Sequence, residues 1–108
     1  MSKLIFNDET ITKSCYINDP NIKGIVAMEE MAECQKEVSK WLRGEENVEN
    51  LTEEIADVFF ILAQVAHICE IPMLDIQEQI GIKMARQEKR DDETLDRWIF
   101  ERGGINES

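Results

Sequence analysis

Two pairs of carboxylates in this sequence have the spacing that places both members of a pair on one side of a helix. Glu30 and Glu33 form the first pair, and Glu54 and Asp57 form the second pair after twenty intervening residues. Residues three apart are neighbours on a helix surface. If two such helices pack side by side, four carboxylates converge. Mg²⁺ prefers such oxygen ligands, whereas zinc sites usually include His or Cys.

The segment around the second pair is expected to be the most buried part of the chain. Residues 58–69 read VFFILAQVAHIC, which is typical of a central helix covered on every side. Glu54 and Asp57 fall in its most apolar sector, so we expect both to be partly buried. No Lys or Arg lies on this helix to pair with them, and a buried carboxylate without a partner is unfavourable.

The first pair lies at the edge of an apolar arc on its own helix. Glu30, Glu33 and Glu37 form a stripe from which side chains could reach into a bundle. Like charges at this spacing repel one another, so a compensating cation is expected. The residues predicted to form the apolar arc are Met28, Met31, Cys34, Val38, Trp41 and Leu42.

A cluster of basic residues follows the carboxylates along the chain. Lys83, Arg86 and Arg90 recur at helical spacing and are predicted to bind phosphates, with Lys83 the strongest candidate. Lys89 falls on another side of the helix. The alternative is a solvated basic helix end that favours the C-terminal dipole. Trp41 could stack on a base, although an aromatic residue at helical spacing is more often part of the core.

Start and stop signals predict an all-α protein, a compact bundle of three to four helices. Asp19-Pro20 favours a helix start, Asn50 with Glu53 resembles a capping box, and Asp91-Asp92 suggests a break. Residues 1–18 show no sustained period and are predicted to form an irregular arm, a short strand or a helical turn, and residues 91–108 a short helix and tail. The predicted helices are residues 20–42, 50–69, 72–90 and 93–102.

Composition limits the class of protein. A length of 108 residues predicts one domain, residues 1–108, and a small core that favours a homodimer or homotetramer. The net charge of -11 argues against binding to nucleic acid polymers or anionic membranes. The three cysteines form no CxxC pair, and no signal sequence is recognisable, so we expect reduced thiols and a cytoplasmic location.

The carboxylate pattern also resembles a known family. Glu30-Met-Ala-Glu33, then twenty residues, then Glu54-Ile-Ala-Asp57 before an apolar helix is similar to the ExxE…ExxD signature of MazG-like nucleoside triphosphate pyrophosphohydrolases, over residues 26–90. The resemblance implies helical dimers or tetramers that hydrolyse (d)NTPs to monophosphate and pyrophosphate in nucleotide-pool housecleaning. It also implies that the four carboxylates bind Mg²⁺, with Mn²⁺ as a substitute.

The sequence leaves the general base and the exact substrate open. Glu37, Glu29 or Glu53 could act as the general base, and the sequence does not choose among them. Related enzymes often carry an Asn near the basic helix, but here there is none between Asn50 and Asn106. The alternatives are a phosphoribosyl-ATP pyrophosphohydrolase-like enzyme and a non-catalytic helical interaction or regulatory module.

Overall fold

A computed structural model describes residues 6–103 of the chain. This part is all-α, as predicted, and contains no strand. It divides into two compact units, one ending at Pro72 and the other beginning at Met73. No helix within it is both long and apolar enough to cross a membrane. The helices are α1 (Asp8–Ile17), α2 (Pro20–Leu42), α3 (Val48–Ile68) and α4 (Met73–Glu101).

The first unit is built on an antiparallel hairpin of α2 and α3. The carboxylate of Asp19 accepts a hydrogen bond from the backbone N–H of Asn21 at 2.8 Å, and Pro20 occupies the first turn, so α2 begins as predicted. Beyond α2, Gly44 has a φ of 87°, a left-handed conformation that glycine adopts without strain. The chain can therefore reverse direction within five residues.

The start predicted for α3 was too late. The helix begins at Val48, and the preceding Asn47 makes no side-chain cap hydrogen bond. Its side-chain amide instead donates to the Glu37 carbonyl at 2.8 Å and to the Glu37 carboxylate at 3.1 Å. A contact across the hairpin therefore replaces the local capping box predicted at Asn50.

The N-terminal segment contains a regular helix where an irregular arm, a short strand or a helical turn was predicted. Asn7 caps α1 by accepting a hydrogen bond from Thr10 N–H at 3.0 Å. The helix packs on α3 through polar contacts: the hydroxyl of Ser14 donates to the side-chain carbonyl of Gln64, and Lys23 donates to both. Because Ile11 is the one buried residue of α1, the segment has no periodic apolar pattern that would predict a helix. Residues 1–5 lie outside the described part.

The predicted break at residues 91–92 is wrong, because α4 runs without interruption from Met73 to Glu101, a length of 29 residues. Aspartate is only a moderately poor helix former. The side-chain amide of Gln87 also donates to the Asp91 carboxylate at 2.8 Å, one turn along the helix. The short C-terminal helix predicted from residue 93 is thus the last part of α4, and residues 104–108 lie outside the described range.

Burial in the hairpin differs from the pattern predicted for both helices. On α2, the residues turned toward α3 are Ala27, Glu30, Cys34 and Glu37, whereas Met28, Met31, Val38 and Leu42 of the predicted apolar arc are exposed. On α3, the N-terminal half is covered only on the side of Leu51, Glu54 and Val58, whereas the buried residues of the C-terminal half, Ile61, Ala63, Gln64 and Ala66, lie on several sides of the helix. The buried apolar residues of the described chain are Ile11, Ala27, Ile61, Ala63 and Ala66. The acidic edge of α2 therefore packs in the hairpin.

Candidate metal centre

Three of the predicted carboxylates meet between α2 and α3. One oxygen from each of Glu30, Glu33 and Glu54 lies within 4.8 Å of the others. The antiparallel hairpin brings these oxygens together, because residues 30 and 33 on α2 stand beside residue 54 on α3. Glu30 and Glu54 are half-buried in the seam, and Glu33 is exposed at its edge. We call these three residues the acidic cluster.

Asp57 lies one turn from Glu54 on α3 but is exposed, so the prediction that it is partly buried was wrong. It falls about 70° to one side of the residues that face α2, which turns it out of the seam. It is nevertheless close enough for its charge to raise the pKa of both Glu30 and Glu54. Asp57 is therefore at the rim of the acidic cluster.

The acidic cluster is electrostatically unfavourable when all its carboxylates are charged. Burial raises the pKa of Glu30, and the charges of Asp57 and Glu33 raise it further. Burial likewise raises the pKa of Glu54, with added repulsion from Glu33 and Asp57. Within residues 6–103, one buried carboxylate oxygen of Glu30 and one of Glu54 accept no hydrogen bond. Unpaired buried acceptors of this kind normally need a partner.

The donor set of the acidic cluster fits a hard divalent cation. It consists only of carboxylate oxygens, which suit Mg²⁺ or Mn²⁺ better than softer metals. Two oxygens on one Mg²⁺ lie at most about 4.2 Å apart, because each bond is about 2.1 Å long. The observed separations, all within 4.8 Å, exceed that value by at most about 0.6 Å, a difference that small side-chain rotations would close. A cation there would also supply partners for the two unpaired oxygens of Glu30 and Glu54.

Glu37, a candidate base from the sequence, has a different environment. One of its carboxylate oxygens accepts a hydrogen bond from Asn47, and the other pairs with Lys40 at 3.0 Å. The hydrogen bond from Asn47, followed by that from Lys40, lowers the pKa of Glu37. Asn47 was not predicted as a functional residue, because its only local signal is an Asn just before an apolar helix. Asn47, Glu37 and Lys40 form what we call the Glu37 clamp.

Trp41 lies at the turn between α2 and α3 rather than in the core. It is half-exposed and lines an open cavity of about 670 Å³. The other lining residues belong to the turn and the start of α3: Gly44, Glu45, Glu46, Asn47, Val48, Glu49 and Asn50. The predicted contact of Trp41 with substrate stays a prediction, and this cavity is its local setting.

The predicted phosphate-binding residues lie on α4, in the second unit. Lys83, Arg86 and Arg90 are exposed and share one face of the helix, while Lys89 points elsewhere. Because α4 is continuous, Arg97 falls within about 40° of Lys83 and lengthens this face by two turns. Because a break was predicted at residues 91–92, Arg97 was not predicted to share this face.

Comparison with known proteins adds no relative: the chain matches no family model, no curated protein and no solved structure.

Proposed function

We propose that the chain is a Mg²⁺-dependent pyrophosphohydrolase that cleaves nucleoside triphosphates between the α- and β-phosphates, in nucleotide-pool housecleaning. The observation that carries this proposal is the pair of buried, unpartnered carboxylate oxygens on Glu30 and Glu54, two residues on different helices that each contribute an oxygen to the acidic cluster. A protein that needed only a stable hairpin would gain by replacing either residue with an apolar one.

Glu30, Glu33 and Glu54 would hold the metal, with Asp57 at the rim as the fourth ligand. When bound, Mg²⁺ would neutralise phosphate charge, orient the triphosphate and lower the pKa of a water molecule. A cation also removes the repulsion that raises the pKa of Glu30 and Glu54. Hydrolysis then adds one water across the Pα–O–Pβ bridge and yields a monophosphate and pyrophosphate.

The proton of that water needs an acceptor on the protein. Both oxygens of Glu37 are engaged and its pKa is lowered, which makes it a weak base. Glu29 and Glu53 are exposed, and each directly precedes a residue of the acidic cluster in the chain. We therefore favour Glu29 or Glu53 over Glu37 as the general base.

The Trp41 cavity is our proposed location for the nucleobase. Asn47 stands seven residues before Glu54, a separation of about 10.5 Å along the hairpin. A nucleotide whose phosphates occupy the acidic cluster could therefore direct its base toward this turn. The glutamates of the cavity disfavour phosphate there, which supports this orientation.

The deciding experiment is a screen of ribo- and deoxyribonucleoside triphosphates with Mg²⁺, in which the first products are separated by ion-exchange chromatography. We expect monophosphate and pyrophosphate in equal amounts. Diphosphate and orthophosphate would show that a different bond is cleaved and would overturn the proposal. Turnover of phosphoribosyl-ATP alone would establish the phosphoribosyl-ATP pyrophosphohydrolase-like alternative instead.

Glu54→Gln is the matched control for contaminating phosphatases, since it removes one charged ligand at nearly constant volume. Its product signal should fall to background. If purified wild type binds Mg²⁺ but hydrolyses no triphosphate with Mg²⁺ or Mn²⁺, the chain is a metal-binding interaction module and the enzymatic proposal is wrong.

A further inference from the structure

The cavity beside Trp41 contains a buried acceptor that no atom of the described chain satisfies. Asn47 is only 9% exposed and is one of the residues that line this cavity. Its side-chain oxygen Oδ1 is buried and accepts no hydrogen bond within residues 6–103. Buried polar atoms in native proteins normally have a partner, so this acceptor points to a donor supplied from outside the chain.

The Glu37 clamp determines which atom of the Asn47 amide remains without a partner. The amide nitrogen Nδ2 donates to the Glu37 carbonyl at 2.8 Å and to the Glu37 carboxylate at 3.1 Å. Neither Glu37 group can donate in return, since a carbonyl has no hydrogen and the pKa of the carboxyl is lowered. The orientation of the amide is therefore fixed, and the atom without a partner is an acceptor.

Carboxylates dominate the other polar side chains of the Trp41 cavity. Glu45, Glu46 and Glu49 line it, and none of the described lining residues is Lys or Arg. Of the three glutamates, only Glu45 has a cationic partner among the described residues, Arg43 at 3.1 Å. Such a surface repels carbonyl oxygens and attracts the partly positive hydrogens of amino groups.

The Trp41 ring offers a surface for stacking but does not select among bases. Trp41 is 54% exposed, and the cavity volume of about 670 Å³ is within the range of small-molecule sites. Stacking tolerates any base, because every base has a π face. Selection among bases must therefore come from the polar atoms of the cavity, of which Asn47 Oδ1 is buried and unpartnered.

Backbone donors complement this acceptor. Val48, Glu49 and Asn50 line the cavity and form the first turn of α3, where N–H groups have no partner within the helix. Asn47 makes no side-chain cap hydrogen bond to them. In adenine, cytosine and guanine, an amino group stands next to an unprotonated ring nitrogen. This edge of the base therefore offers the donor and the acceptor that match the cavity.

We propose that the Trp41 cavity selects nucleotides whose base carries an exocyclic amino group, and that Asn47 Oδ1 accepts a hydrogen bond from that group. The inference rests on the proposed function, which makes the ligand a nucleotide. It favours adenine, cytosine and guanine nucleotides as substrates over those of uracil, thymine and hypoxanthine, which lack the amino group. Asn47 is thus a specificity-determining residue, separate from the acidic cluster.

The test compares nucleosides that differ only in the amino group, without metal or phosphate. The pairs are adenosine with purine riboside, and cytidine with pyrimidin-2-one riboside. Binding to the full chain is followed by NMR through the Trp41 indole and the Asn47 side-chain amide. We expect each amino nucleoside to bind at least about 10-fold more tightly than its partner, because the partner leaves Asn47 Oδ1 unpaired.

Two variants assign this difference to Asn47. Asn47→Ala removes the acceptor and should reduce the difference to less than about 2-fold, as followed through the Trp41 indole. Asn50→Ala is the matched control, since Asn50 lines the same cavity but is exposed, and it should preserve the difference. If Asn47→Ala does not fold, the wild-type comparison decides alone. Equal binding within each pair, no response at millimolar nucleoside, or a difference that persists in folded Asn47→Ala would overturn the inference.

A kinetic comparison separates this inference from the proposed function. The triphosphates of the same four nucleosides are incubated with the chain and Mg²⁺, and we expect kcat/KM to be at least about 10-fold higher for each amino base. Hydrolysis at equal kcat/KM within each pair would overturn the selection of bases and leave the pyrophosphohydrolase activity standing. Selective binding of amino nucleosides without hydrolysis of any triphosphate would make the enzymatic proposal wrong and leave the base site standing.

Discussion

Glu30 and Glu37 occupy equivalent positions on α2 but have opposite environments. They are seven residues apart, both face α3, and both are at least half-buried. Asn47 and Lys40 engage the two carboxylate oxygens of Glu37 and lower its pKa. Glu30 has a buried oxygen with no partner among the described residues, and burial and neighbouring charges raise its pKa.

The difference shows what the chain provides for a buried carboxylate when the role is structural. The Glu37 clamp uses residues available within ten positions of Glu37, and Lys36 lies three residues from Glu33. The acidic cluster nevertheless has no such partner in the described structure. We infer that the partner of the acidic cluster comes from solution, and a divalent cation is the simplest species that satisfies three carboxylates at once.

The largest expected effect is on turnover. Glu33→Gln and Asp57→Asn should each reduce kcat by at least about 100-fold, since even residues that only support metal ligands cost 10–100-fold when replaced. Circular dichroism should show unchanged helix content, because each substitution keeps the side-chain volume.

Glu78→Gln is the control for this prediction, because Glu78 is exposed on α4, away from the face that carries Lys83, and has no assigned role. It should retain turnover close to wild type. Near wild-type turnover of Glu33→Gln or Asp57→Asn at saturating Mg²⁺ would mean that the metal site is not built from these residues.

A smaller effect is expected on α4. Lys83→Ala should lower kcat/KM by about 10-fold or more, equivalent to about 1.4 kcal/mol, because it would remove a charged contact with the triphosphate. Mg²⁺ binding without nucleotide should not change. Lys89→Ala, on another side of α4, is expected to have little effect. If both variants behave alike, the basic face is only a solvated helix end.

The Glu37 clamp should contribute to stability rather than to metal binding. Asn47→Ala removes two hydrogen bonds to Glu37 and should lower the free energy of unfolding by about 1–3 kcal/mol. Asn50→Ala, at the start predicted from the sequence, should cost much less. Urea denaturation measures both. Equal losses would show that Asn50 contributes as much as Asn47.

The smallest expected effect is the pH dependence of stability, which has opposite signs at the acidic cluster and at the Glu37 clamp. Folding raises the pKa of Glu30 and Glu54, so the folded state binds more protons than the unfolded state between the ordinary glutamate pKa of about 4.3 and the raised values. Their contribution to metal-free stability therefore falls as pH rises through that window. The contribution of Glu37 is complete above the ordinary pKa and is lost as pH falls through its lowered value.

Glu54→Gln isolates this effect. Without divalent cations, its Tm at neutral pH should exceed that of wild type by a few degrees, because repulsion is relieved. This difference should shrink as the pH is lowered from about 7 to about 5, since wild type then gains protons on folding. A Tm below that of wild type at neutral pH would show that the Glu54 charge stabilises the fold.

Local signals in the sequence predicted α2 and the acidic cluster well. Asp19-Pro20 located the start of α2, and the spacing of the two carboxylate pairs predicted the convergence of Glu30, Glu33 and Glu54 but also that of Asp57, which lies at the rim. Both features depend on helical periodicity, which sequence records directly. The exposure of Asp57 was not predictable in this way, because it depends on the angle at which α3 meets α2.

Other features depend on contacts between distant residues. The hydrogen bond from Asn47 to Glu37 spans ten positions, and α3 begins next to it, at Val48, rather than at the predicted Asn50. The link from Ser14 to Gln64 spans fifty positions and holds α1, whose own apolar pattern is weak. The continuity of α4 has a different explanation. Aspartate lowers the stability of a helix only moderately, so Asp91 and Asp92 do not interrupt it.

The most direct test of the central claim is thermal unfolding as a function of Mg²⁺ concentration. A site that binds only the folded state stabilises it by about 2.7 kcal/mol at 100 times the dissociation constant, so the Tm of wild type should rise by several degrees. Glu37→Gln should start from a lower Tm but show a similar rise, whereas Glu54→Gln should show little or none. A wild-type Tm that does not respond to Mg²⁺, or an equal rise in Glu54→Gln, would contradict a metal site at the acidic cluster.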